Sequence, residues 1–129
     1  RPRPLLVGIT VLTSFDEVAL EEIGVPSTPA VQVPRLALLA KDAGLDGVVA
    51  SPQEIALIRE RCGPSLTIVT PGIRGAGDAK GDQSRTMSAF DALAAGANYL
   101  VIGRPIIGAP DPRSAAERIA DECRRVRVS

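Results

Sequence analysis

Four short stretches of the chain are almost uninterrupted in apolar residues: 5–10 (LLVGIT), 47–50 (GVVA), 67–70 (TIVT) and 99–102 (YLVI). Strands exposed on one side alternate apolar with polar residues, whereas parallel strands covered on both faces do not, so these four predict a buried parallel sheet. Between them the apolar period lengthens. Leu36, Leu39, Ala40 and Ala43 follow the i, i+3, i+4, i+7 spacing of a helical stripe, with Gly44 at the C-terminal cap. Ser51-Pro52-Gln53-Glu54 combines a capping Ser, a Pro at the first helical position and a Glu three residues after the cap, and Ile55, Ile58 and Cys62 mark the buried stripe behind it. Phe90, Leu93, Ala94 and Ala97 form a third stripe around Gly96, and Asp111-Pro112 opens a last helix striped by Ala116, Ile119, Ala120 and Cys123. Pro34 falls early in the first helical pattern, where an interior proline costs about 3 kcal/mol. The helix is therefore expected to start near Pro34, with 27–33 as an irregular lead-in.

The resulting order, β-α-β-α-β-α-β-α, predicts a single α/β domain over 1–129 whose parallel strands are joined by right-handed helical crossovers. A (β/α)8 TIM barrel holds eight such units in about 250 residues; four units in 129 residues are half of one. The chain opens on Arg1, its one methionine is Met87, and the first apolar stretch starts at residue 5, so it is expected to be a piece of a longer protein. A half-barrel leaves two strand edges unpaired and one apolar face bare, both of which drive association. A homo-oligomer that completes the barrel is the expectation.

Composition narrows the chemistry. With 45% hydrophobic but only 2% aromatic residues, the core must be built from Val, Ile, Leu and Ala. Fifteen basic and fifteen acidic residues cancel, and no basic block exceeds a short run near the end, so nucleic-acid binding is not expected. No apolar run approaches the roughly 18 residues of a membrane span and no signal-peptide core is visible, which points to a cytoplasmic protein with no membrane partner. The absence of histidine excludes Ser-His-Asp and Cys-His catalysis and every His-ligated metal site from the sequence. Cys62 and Cys123 each fall on an apolar helical stripe and are expected as free thiols.

Polar chemistry collects where the apolar stretches end. In barrels and open α/β sheets, ligands bind at the C-terminal ends of the strands. Those positions hold Thr10 and Thr13, Ser51, the run Thr70-Pro71-Gly72-Ile73-Arg74, and Gly103-Arg104-Pro105. Thr10, Thr13 and Ser51 are equally suited to capping helices or turns, and both readings stand. Arg104 follows a strand directly, with a glycine before it that lets a ligand approach the backbone, a combination suited to an anion. The stretch 75–84, small and polar, is long for such a connection and is expected to be a lid or gripping loop, with Gln83 its one side-chain amide.

"LTS" at 12–14, "GLDGVVASPQE" at 44–54, "VTPGIR" at 69–74, "GDQSR" at 81–85 and "YLVIGRPI" at 99–106 together resemble the bacterial orotidine 5'-monophosphate (OMP) decarboxylase family. The resemblance covers essentially the whole chain and implies a dimeric (β/α)8 barrel that converts OMP to uridine monophosphate (UMP) in pyrimidine biosynthesis, with neither metal nor organic cofactor. This chain would be strands five to eight, the C-terminal half. By motif, Gln83 and Arg104 resemble the family's phosphate ligands, with the Gly103 N–H beside them and Arg74 at the same end. Thr13 resembles the residue that reaches the pyrimidine, and Pro71 lines the base pocket. The departure lies in the chemistry: the family's Asp-x-Lys-x-x-Asp motif and its further lysine are missing, and neither Lys41 nor Lys80 replaces them. No residue here is therefore expected to be catalytic, and the isolated chain is expected to be inactive while retaining weak affinity for a nucleotide monophosphate or phosphate. Two other readings stay open: a self-associating half-barrel module without ligand, and a phosphate-binding half completed by a separate N-terminal chain.

Overall fold

The computed structural model describes residues 3–74 and 86–128. Four parallel strands form one sheet in the order β1-β2-β3-β4, with β1 Val7–Ile9, β2 Gly47–Val49, β3 Thr67–Thr70 and β4 Tyr99–Leu100. Among the described residues six α-helices and one 3-10 turn, Pro52–Glu54, accompany them: α1 Glu17–Glu22, α2 Pro29–Asp42, α3 Ile55–Cys62, α4 Ala89–Ala95, α5 Arg104–Ile107 and α6 Pro112–Val128. The α/β half-barrel class read from the sequence is the one found.

The sheet register explains which apolar residues form the core. Gly8, Val48 and Ile68 lie side by side across β1, β2 and β3, and Val48 and Ile68 are fully buried against the helices. Val33 and Ala37 of α2, Ile55, Ile58 and Cys62 of α3, and Ala89 and Ala92 of α4 close over them. Residues of the opposite parity point the other way, because successive side chains on a strand alternate faces. Ile9, Val49, Val69 and Tyr99 form one row on that second face. Ile9 is 68% exposed and Tyr99 57%, so the sheet is covered on one side only among the described residues. Continuous apolar runs predicted burial on both faces; the second covering layer is absent from the described chain.

Helix phases differ from the sequence reading in two places. α2 begins at Pro29, capped by the Thr28 hydroxyl accepting from Val31 N at 3.3 Å, and runs straight through Pro34. Pro34 removes one intrahelical donor, but its ring is buried beside Val33, and packing outweighs the lost bond. Because apolar residues surround α2 almost completely, the helix settles with Val33 and Ala37 inward and leaves Leu39 65% exposed. In α4 the small Ala89 and Ala92 face the core instead of Phe90 and Ala94. α3 buries Ile55, Ile58 and Cys62 as its spacing predicts. α1 carries too little periodicity to be read in advance; Asp16 caps it by accepting from Ala19 N at 2.9 Å.

Candidate functional site

Thr70-Pro71-Gly72 turns the chain out of β3, and Gly72 takes φ +76°, a left-handed conformation that favours glycine. The next residues are pinned to the start of the segment leading into α4. Met87 N donates to Gly72 O at 3.1 Å and Arg74 N donates to Met87 O at 2.9 Å, so Ile73 and Met87 pair like a fragment of parallel strand. This holds the Arg74 backbone rigidly and places its side chain inside the protein, only 9% exposed, with Nη1 donating to Ile73 O at 2.7 Å.

Arg104 reaches the same place from the next strand. Gly103 precedes the single-turn α5, its carbonyl accepting from both Ile106 N and Ile107 N, and a Cβ added there would meet nothing within 4 Å. At the other end of that turn a Cβ on Gly108 would lie 2.8 Å from the Arg104 carbonyl oxygen, so the tight fold of α5 requires glycine. Arg74 and Arg104 line one cleft of about 760 Å³, whose far wall is α6. Arg118 and Arg125 line it from α6, as do Asp121 and Glu122, giving four arginines against two carboxylates among the described residues. Glu122 also receives the Phe90 N–H at 2.7 Å, tying α6 to the first turn of α4 beside the Ser88 cap. The described lining thus carries net positive charge at the C-terminal end of the sheet, suited to a compact anion.

The other expected positions lie elsewhere. Thr13 is buried and accepts a hydrogen bond from the Ser51 hydroxyl at 3.2 Å, joining the loops after β1 and β2. Ser51 makes no side-chain capping bond to its own helical turn, so the Ser half of the capping box read from the sequence does not form. Pro71 is half-buried at the end of β3, and neither it nor Thr13 lines the arginine cleft. Gln83 and the rest of the 75–84 stretch expected to form a lid lie outside the described residues. Arg118 and Arg125 were not read from the sequence, although their signal is there: 118, 121, 122 and 125 repeat the i, i+3, i+4, i+7 spacing with charged residues. Among the described residues there is no cluster of three or more His, Cys, Asp or Glu that could hold a metal, and no helix long and apolar enough to cross a membrane. Among the described residues neither Cys62 nor Cys123 forms a disulfide; burial raises the Cys62 thiol above its ordinary pKa, away from the thiolate a nucleophile needs.

Four parallel strands backed by helices, with their polar loops gathered at the C-terminal ends, are the architecture of half a (β/α)8 barrel. The sequence matches the Orotidine 5'-phosphate decarboxylase / HUMPS family over residues 2–119, and the chain belongs to that family. The orotidine 5'-phosphate decarboxylase of Moorella thermoacetica is 57% identical over 128 residues, covering 98% of this chain and 51% of that protein. That of Geobacter sulfurreducens is 55% identical over 120 residues, covering 93% of this chain and 50% of its own length. A crystal structure of the enzyme from Lactobacillus acidophilus superposes with a TM-score of 0.75 at 38% identity, covering 93% of this chain and 49% of that one. The chain spans about half the length of the curated relatives it matches.

Proposed function

We propose that this chain is the C-terminal, phosphate-holding half of an orotidine 5'-monophosphate decarboxylase, strands five to eight of its barrel, acting in the cytoplasm as part of a homo-oligomer. The observation that carries the reading is the meeting of Arg74 and Arg104, from two different strand ends, on one cleft. Planar guanidinium groups suit phosphate oxygens, and each charge-assisted hydrogen bond contributes about 1.5–3 kcal/mol. A few such bonds give the 129-residue chain roughly millimolar affinity for UMP or phosphate. Gly103 contributes its backbone N–H beside Arg104; Thr13 and Pro71 serve the base end, and Gln83 supplies a further phosphate ligand.

In a complete enzyme a phosphate held away from the reacting carbon supplies binding energy that lowers the barrier at the base. The decarboxylation itself requires an ammonium to protonate the developing carbanion and carboxylates to position it. No Asp-x-Lys-x-x-Asp sequence is present to supply them, so the chain alone binds without turnover, and neither metal nor organic cofactor takes part. Calorimetric titration with UMP and with uridine tests this. UMP should bind and uridine should not, and Arg104→Ala should weaken UMP binding by roughly tenfold or more. Equal binding of both ligands, or an Arg104→Ala variant that binds like the parent, would overturn the phosphate reading.

A further inference from the structure

Two of the bonds that place Arg74 depend on the segment just before α4. Arg74 N donates to Met87 O at 2.9 Å, and Arg74 Nη1 donates to the carbonyl of Ile73, the residue that pairs with Met87. A shift of Met87 therefore moves both the Arg74 backbone and the carbonyl on which its guanidinium rests. At its far end the segment is fixed to α4 and α6: the Ser88 hydroxyl accepts from Asp91 N at 3.1 Å, and Glu122 accepts from Phe90 N at 2.7 Å. At its near end the hold comes from another part of the chain. Gln53 Nε2 donates to Thr86 O at 2.7 Å, across 33 positions of sequence. The turn that presents Gln53 is well anchored, because Pro52 and Glu54 on either side are buried, Glu54 N donates to Ser51 O at 3.1 Å, and the Ser51 hydroxyl bonds Thr13. Gln53 itself is exposed, so its contribution is the bond and not burial.

We propose that Gln53 is a positioning residue for the anion held by Arg74: its amide fixes Thr86 and, through the Ile73–Met87 pair, keeps the Arg74 guanidinium aimed into the cleft. The inference rests on the reading of Arg74 and Arg104 as phosphate ligands. A guanidinium already aimed at phosphate oxygens loses less freedom on binding, so what holds it adds to affinity without touching the ligand. Without the Gln53 bond the near end of the segment is loosened, the Ile73–Met87 pair opens more often, and Arg74 meets the anion from a wider set of positions. Arg104 is delivered by another route, from β4 into α5, and keeps its place.

Gln53→Met tests this, since methionine keeps the length and neutrality of the side chain and removes only the amide donor; Gln53→Asn, too short to reach Thr86, should match it. In both variants the Met87 and Arg74 amides should exchange with solvent about two- to tenfold faster, the range that loss of one hydrogen bond allows. The Ala50 amide, bonded to Val69 O, should keep its rate. Titration with UMP followed by NMR should show affinity lower by about two- to tenfold. The Arg74 side-chain nitrogens should lose much of their shift at saturation while those of Arg104 retain theirs, a split that a general loss of stability would not produce. Arg74 and Met87 amides that exchange as in the parent overturn the proposal, and so does UMP binding with parental affinity and parental Arg74 shifts; either result leaves the phosphate reading standing. A parent chain in which saturating UMP moves neither arginine overturns that reading and this inference with it.

Discussion

Asp46 receives both guanidinium branches of Arg3 at 2.8 Å and the Leu6 N–H at 2.8 Å, so one carboxylate ties the approach to β1 onto the start of β2. The hydrogen bond from Arg3, then that from Leu6, lower its pKa from 3.8 to about 2. A carboxylate depressed in the folded state stabilises it above the unfolded pKa and loses that contribution as pH falls through the folded one. Melting temperature should therefore drop as pH falls from 3.8 toward 2, and Arg3→Ala should remove part of that dependence, measured by circular dichroism across the range. An Arg3→Ala profile parallel to the parent's would contradict it. Arg59 works at the same, N-terminal end of the strands: its guanidinium donates to the carbonyls of Gly63, Leu66 and Gly96 and to Asn98 Oδ1, at 2.6–3.1 Å. Asn98 Oδ1 in turn accepts from Ile68 N, so α3, β3 and β4 share one cation. Replacing Arg59 with Met should cost about 2–3 kcal/mol in urea unfolding; a change below about 0.5 kcal/mol would show that water replaces it freely.

Strand β2 passes so close to β3 that a Cβ on Gly47 would sit 2.1 Å from the Thr67 carbonyl oxygen. Gly47→Ala must push the two strands apart and should destabilise by at least the roughly 1–3 kcal/mol of an overpacked core; an unchanged denaturation midpoint would refute the close approach. Glycine in a strand gives no hint of this in the sequence, since the clash comes from a neighbour 20 positions away. β3 and α3 were legible because each has one dominant signal, a continuous apolar run or an unambiguous stripe. α2 and α4 were legible as helices but not in phase: surplus apolar residues on α2 permit several stripes, and on α4 the core takes Ala89 and Ala92 and leaves the larger Phe90 partly exposed. Ser51 looked like a cap by its neighbours, yet its hydroxyl crosses to Thr13, a partner 38 residues earlier.

The molecule as a whole places its polar chemistry at one end of a sheet that is finished on only one side. The strand ends that carry Arg74 and Arg104 were legible because a polar residue after a buried strand stands out against its apolar run. The α6 wall with Arg118 and Arg125 was not, because charged residues on a terminal helix look the same whether they face solvent or a cleft. That cleft is the centre of the account, and backbone and arginine side-chain nitrogen NMR during titration with UMP tests it most directly. The account predicts that the largest shifts fall on the Gly103 and Arg104 amides and the Arg74 and Arg104 side chains, saturating together. Shifts confined to other parts of the chain, with both arginines unmoved at saturation, would contradict it.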